Sequence, residues 1–188
     1  MPRAAPKLDI AEIWLQHSIH IPSRTVLISG EINEVTKRTV LLAKKLIDAD
    51  DVTVTVELDT EGGDLYQGLA IYDALRAFKG RVEIVGYGKV MSMGTVILQA
   101  ADSGGRLLMP NTTILEHMGT SEVLRDHAEQ VQRQVKEDKR IRNRTIKIVT
   151  DAMKITQKQY NERYSFDVYM DAQRAVSVGL ADKVLNFS

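Results

Sequence analysis

From Thr25 onward, short apolar runs alternate with longer stretches whose apolar residues recur every three or four positions. Thr25-Val26-Leu27-Ile28-Ser29 reads as a buried strand closed by Gly30. Residues 34–49 read as a helix with Val40, Leu41, Ala43, Leu46 and Ile47 on its apolar face. Residues 52–58 alternate valine with Thr and Glu, a strand signature, and the pair Gly62-Gly63 then breaks the chain. Residues 65–78 predict a second helix, packed through Leu69, Ile71, Tyr72 and Leu75. Residues 82–87 predict a third strand, 92–101 a short and very apolar helix, and 106–109 and 113–117 two more strands. This order implies an α/β fold with a mainly parallel sheet and covering helices. The valine and isoleucine content of the strands fits a sheet buried on both faces.

Either end of the chain reads differently. Residues 1–7, with two prolines, read as a flexible arm, and 9–16 as a short helix with Ile10, Ile13 and Trp14 on one side. Residues 122–154 predict one long, heavily charged helix. Its early apolar positions, Leu124, Ala128, Val131 and Val135, form a narrow coiled-coil-like seam. Such a helix is expected to bury little against its own domain and to pack on another subunit. Thr156 is placed to cap a short helix. A last helix spans 171–178, with Gly179 as its stop.

Composition narrows the function. The 188 residues suit one domain, with 44% apolar and 27% charged residues. Lys plus Arg balances Asp plus Glu at 25 each, so no net field points to nucleic acid or to a membrane surface. Cysteine is absent, which excludes disulfides, thiol catalysis and zinc–thiolate sites and fits a reducing interior. The N-terminus has no apolar core behind its basic residues, so no secretory signal is expected, and no run is long enough to span a membrane. The expected setting is the cytoplasm.

Four features could carry chemistry. Ser92 lies at a strand-to-helix turn, where a nucleophile would be exposed at a helix N-terminus; the plainer role there is an N-cap. His117 ends an apolar strand and feeds a loop, the usual place for a site in an α/β protein, although a lone histidine is more often structural. Gly62 and Gly63 could present backbone N–H groups to an oxyanion or simply form a turn. Asp167, between Phe166 and Val168, is either solvated or paired. His17, His20 and His127 read as surface or interface residues. Together the four features supply a nucleophile, a base, an orienting acid and oxyanion donors. Lys89, three residues before Ser92, leaves a Ser–Lys dyad as an alternative.

The same residues carry a resemblance. The stretch from Leu58 through Gly62-Gly63 and Gly68 to Ile71-Tyr72-Asp73 resembles the Clp peptidase segment N-S-P-G-G-x-x-x-x-G-x-x-I-Y-D. Met91-Ser92-Met93-Gly94 resembles that family's A-S-M-G around the nucleophile, and Pro110-Asn111 through His117 its P-N-S-x-x-x-x-H. Residues 169–182 resemble F-L-S-A-x-E-A-x-x-x-G-L-V-D, and the similarity runs from about Arg24 to Leu185. Glu61 stands where the family has proline, Met118-Gly119 where Gln-Pro is common, and Val168 where many members have arginine.

What the resemblance implies is a single-domain, crotonase-like (ClpP-type) fold with a protruding handle helix over about 121–154. It also implies a serine endopeptidase whose triad is Ser92, His117 and Asp167, with the N–H groups of Gly63 and Met93 as oxyanion donors. Family members stack heptameric rings around a proteolytic chamber fed by an AAA+ unfoldase. They act on peptides or unfolded proteins, and need no cofactor beyond the ATP that the unfoldase uses. Two other readings stay open: a non-catalytic ring subunit, and an acyl-CoA enzyme of the crotonase superfamily.

Overall fold

The computed structural model describes residues 9–119 and 127–186. The expected arm (1–7) and the first part of the expected handle helix, Leu124 included, lie outside them. Among the described residues no helix is long and apolar enough to cross a membrane.

Asp9 accepts hydrogen bonds from the Ala11 and Glu12 N–H groups and so starts α1 (Ile10–His17), a helix with no buried residue. The chain then enters a sheet through β1 (Ile19–His20), antiparallel to β2 (Thr25–Ile32). Asn33 and Thr36 form a capping box that launches α2 (Glu34–Ile47), which buries Val40, Ala43 and Ile47. β3 (Thr53–Gly63) returns parallel to β2; Asp64 caps α3 (Leu65–Arg76); and β4 (Arg81–Met91) returns parallel to β3. Parallel neighbours need such crossovers because a tight turn cannot join them.

Both central strands are longer than their hydrophobic runs. Gly30 does not close β2, which bulges there at φ +78° and continues to Ile32. Gly62 and Gly63 do not break the chain but form the last two positions of β3, at φ +101° and +147°. The sheet is also less covered than expected. Val54, Val56, Leu58 and Thr60 are buried on one face of β3, while Thr55, Glu57 and Asp59 on the other are half-buried.

α4 (Met93–Leu98) follows β4 at once, and all six of its residues are buried. β5 (Arg106–Leu108), β6 (Thr113–Glu116), β7 (Val168–Asp171) and β8 (Lys183–Val184) complete the eight strands found among the described residues. The main path runs β1-β2-β3-β4-β5-β8. β6 pairs with β4 in parallel and with β7 in antiparallel. β4 therefore changes partner along its length: Ile84–Gly86 face β5, and Lys89–Met91 face β6.

α5 (Ala128–Met153) contradicts the expectation that the long helix buries little on its own domain. Its second half buries Ile141, Thr145, Ile146, Val149 and Met153, whereas Val135 in the first half is 47% exposed. Thr156 caps α6 (Gln157–Arg163) through a capping box, and Asp171 caps α7 (Ala172–Ser177), with Gly179 beyond it at φ +86°.

The C-terminal strand is pinned by one side chain. Arg106 Nε donates to Asp182 Oδ2 at 3.1 Å, a further guanidinium N–H donates to Oδ1, and Nη1 reaches Gln99 Oε1 at 2.8 Å and the Gly179 carbonyl at 2.7 Å. Both charged groups are about four-fifths buried. Arg106→Ala removes the charged partner of Asp182, which keeps the N–H of residue 106 at 3.0 Å, and is expected to lower stability by about 2 kcal/mol, read from the urea midpoint at unchanged slope.

Candidate active site

Strand register alone assembles the central residues. Met91 on β4 lies opposite Leu115 on β6, and the Ser92 N–H continues that ladder to the Leu115 carbonyl at 2.9 Å. Glu116 lies opposite Val168 on β7, so His117 and Asp167, one step beyond each, meet. Asp167 Oδ1 lies 3.1 Å from His117 Nδ1, and Ser92 Oγ lies 2.8 Å from His117 Nε2. A carboxylate only accepts, so Nδ1 carries the proton; Nε2 is then the acceptor, and Ser92 donates to it. The Asp167 side chain is 56% exposed and that of His117 21%.

Ser92 does not act as an N-cap, since its side chain makes no capping bond. Its backbone sits at φ 52°, ψ −116°, a strained turn for a residue with a Cβ. Gly62 makes room for it: a Cβ on Gly62 would lie 2.8 Å from the Ser92 Cβ and 2.9 Å from the Met91 carbonyl oxygen. A Cβ on Gly63 would strike the Ile32 carbonyl oxygen at 2.4 Å. Met93 is buried behind the serine, with its side chain laid across Gly68 of α3. Gly63, Ser92, Met93 and His117 all border one cavity of about 250 Å³, closed by Val96 and by Ile146 from α5.

Lys89 is committed elsewhere. Its Nζ is 2.8 Å from Glu61 Oε2. The hydrogen bond to Glu61 raises the lysine pKa, and the same bond from Lys89 lowers that of Glu61. A lysine held protonated is a poor general base, and the Ser92 hydroxyl is bonded to His117 instead. His20 is engaged by Ser23 at 2.6 Å and stacks edge-on against Trp14; His17 is exposed, and His127 stands at the N-cap of α5.

The model of the Clp protease family matches residues 13–187. The chain belongs to the Clp protease family. An ATP-dependent Clp protease proteolytic subunit of Deinococcus radiodurans is 27% identical over 168 residues, covering 88% of this chain and 82% of that relative. The proteolytic subunit 2 of Treponema denticola is 27% identical over 164 residues, or 86% and 82%. A mutant ClpP1 from Listeria monocytogenes superimposes with a TM-score of 0.77 at 26% identity, over 89% of this chain and 94% of that one. The fold is the ClpP-type α/β fold anticipated from the motifs.

One residue of this Clp-family site escaped the sequence reading. Glu116, at the end of β6, is 3% exposed. It accepts from Thr95 Oγ1 at 2.6 Å and, through a short bond, from the Tyr160 hydroxyl. A lone acid in the apolar run Ile114-Leu115-Glu116, beside a candidate base, was the available signal. Burial pushes its carboxyl up to about 7, against the pull of the Thr95 and Tyr160 hydroxyls. Burial, and then the charge of Glu116, raise Tyr160 in turn.

A carboxyl whose folded pKa lies above its unfolded value near 4.5 binds protons more tightly in the folded state. Its stabilising contribution is full below 4.5 and is lost as pH rises towards 7. The wild type is therefore expected to lose roughly 2–3 kcal/mol of stability across that window relative to Glu116→Gln, read from thermal melts at stepped pH. Parallel pH profiles for the two proteins would show that Glu116 stays ionised.

Proposed function

We propose that this chain is the peptidase subunit of a Clp-type protease, and that it hydrolyses peptide bonds through Ser92, His117 and Asp167. The observation that carries the reading is the continuous path from Asp167 Oδ1 through the imidazole to Ser92 Oγ, at 3.1 and 2.8 Å. Those are distances at which a base takes a proton from an attacking hydroxyl. The relatives named as Clp proteolytic subunits support it.

In this mechanism Ser92 Oγ attacks the substrate carbonyl carbon while its proton passes to His117 Nε2. Asp167, bonded to Nδ1–H, holds the tautomer and stabilises the imidazolium that forms. The N–H groups of Gly63 and Met93 stabilise the oxyanion, a contribution worth roughly 10²–10³ in rate for one donor. The imidazolium then protonates the leaving amine. A water molecule, deprotonated by the same imidazole, hydrolyses the acyl ester and restores the serine. The cavity beside Ser92, bordered by Val96 and Ile146, receives a side chain of the substrate.

The subunit works as part of a closed homo-oligomer of stacked heptameric rings, fed with unfolded protein by an ATP-driven AAA+ unfoldase. The peptidase itself uses no cofactor. Phe166 and Tyr169, 83% and 63% exposed beside Asp167, are the apolar surface that such packing would cover. Ser92→Ala is expected to abolish both fluorophosphonate labelling and peptide hydrolysis while leaving the fold and assembly size unchanged. Retained hydrolysis in Ser92→Ala would refute the assignment.

A further inference from the structure

The Ser92–His117 pair is tied from behind by two hydroxyls that have more acceptors than protons. Thr95 Oγ1 lies 2.7 Å from the Ser92 carbonyl oxygen and 2.6 Å from Glu116 Oε2. The Tyr160 hydroxyl lies 3.1 Å from the His117 carbonyl oxygen and makes its short bond to Glu116 Oε1. Each hydroxyl carries one proton and donates one full bond at a time. The geometry points to Glu116 as a positioning residue for the peptidase reaction, a buried hub that decides whether Thr95 holds the backbone of the nucleophile or lets it go.

The proton count gives the direction. An ionised Glu116 can only accept, so it draws the protons of both Thr95 and Tyr160 onto itself. The Ser92 carbonyl then loses the hydroxyl and keeps the Thr95 N–H, at 3.0 Å. A protonated Glu116 donates to Thr95 Oγ1, which turns the threonine proton towards the Ser92 carbonyl. Ser92 is the residue that needs that bond, because its φ of 52° must be held by its surroundings. The clamp is thus closed when Glu116 is neutral and open when it is charged. Its upward-shifted carboxyl places the change within the working pH range.

The groups facing Glu116 come from several elements. α4 contributes Thr95, α6 contributes Tyr160, Tyr164 follows as the C-cap of α6, and His117 follows Glu116 in the chain. Arg142 of α5 borders the same cavity, while β7 sets only the apolar Val168 opposite. The two direct side-chain partners are neutral hydroxyls, so the carboxyl proton rather than an ion pair governs the hub.

Glutamine at 116 is isosteric with the neutral acid: its amide donates to Thr95 and its carbonyl accepts from Tyr160. The test rests on the peptidase reading and compares fluorophosphonate labelling rates of wild type and Glu116→Gln from pH 5.5 to 9. Taking the ratio at each pH removes whatever pH dependence the labelling reaction has in common in the two proteins. The two rates should agree at pH 5.5, and the wild type should fall ~5–10-fold behind by pH 9, the worth of one hydrogen bond. A ratio that does not change with pH overturns the proposal. Thr95→Ser and Thr95→Val guard against misfolding at 116: the serine variant should follow the wild type, and the valine variant should label slowly without the pH step. Equal rates for the two would also overturn it. Amide hydrogen exchange of the segment 90–98, at pH 8.5, reads the clamp without activity. Slower exchange in Glu116→Gln than in wild type supports the clamp, and equal exchange overturns it. Loss of labelling in all the proteins, with that difference in exchange intact, would overturn the peptidase reading alone.

Discussion

The site depends on how β4 shares one hydrogen-bonding edge between two strands. A strand edge serves one neighbour at a time, so β5 must leave before β6 can arrive. The exchange happens at Gly86, whose carbonyl accepts from the Met109 N–H at 2.9 Å and the Thr112 hydroxyl at 2.8 Å. A Cβ at Gly86 would lie 2.7 Å from the Leu108 side chain of β5 and 2.8 Å from that of Val90 further along β4, so glycine leaves room for both side chains where the partners change. Beyond it the chain runs straight into Ser92, with β6 now alongside. The same exchange that ends β5 therefore brings the histidine-bearing strand to the serine.

Because the site is built on register, its accuracy comes from backbone ladders and not from loops. Ser92 and Leu115 share a backbone bond, and Met118 N–H reaches the Tyr164 carbonyl at 3.0 Å. His117 is thereby held on both sides, towards β4 and towards the segment that leads into Asp167. The strained turn at Ser92 is affordable only in such a frame. A fully buried α4 stands behind it, and Gly62 lies in front with no side chain to collide. Gly62 and Gly63 do the opposite of what glycine usually does in a sequence: they prolong a strand into a place where any side chain would block contact.

That inversion explains much of what the sequence did and did not disclose. The alternation of strands and helices was legible because α2, α3 and the strands around them carry strong local periodicity. The ends of β2 and β3 were not, because glycine normally punctuates and here continues the ladder. β7 and β8, of four and two residues, leave almost no local trace; they exist because distant partners, β6 and β5, offer an edge. The burial of the second half of α5 was likewise hidden by the charged composition of its first half. Ser92, His117 and Asp167 were recognisable only as a set, and the structure brings those three side chains together. Glu116 is not legible in the sequence, because an acid on a strand reads as solvent-facing until its partners are known.

Three carboxylates around one serine show how environment assigns a role to identical chemistry. Glu61, at the surface, has its charge matched by Lys89, and in matching it keeps that lysine protonated and away from base chemistry. Asp167 is half exposed, so water shares its solvation while one oxygen stays on the imidazole. Glu116 has no such access, and desolvation makes its proton the variable. In the proposed mechanism, an acid placed at each depth gives the site one group that silences a competing base, one that orients the imidazole, and one that responds to pH. Exchanging the depths of Asp167 and Glu116 would defeat both proposed roles, since a neutral acid cannot stabilise an imidazolium and a solvated carboxylate offers no proton to switch.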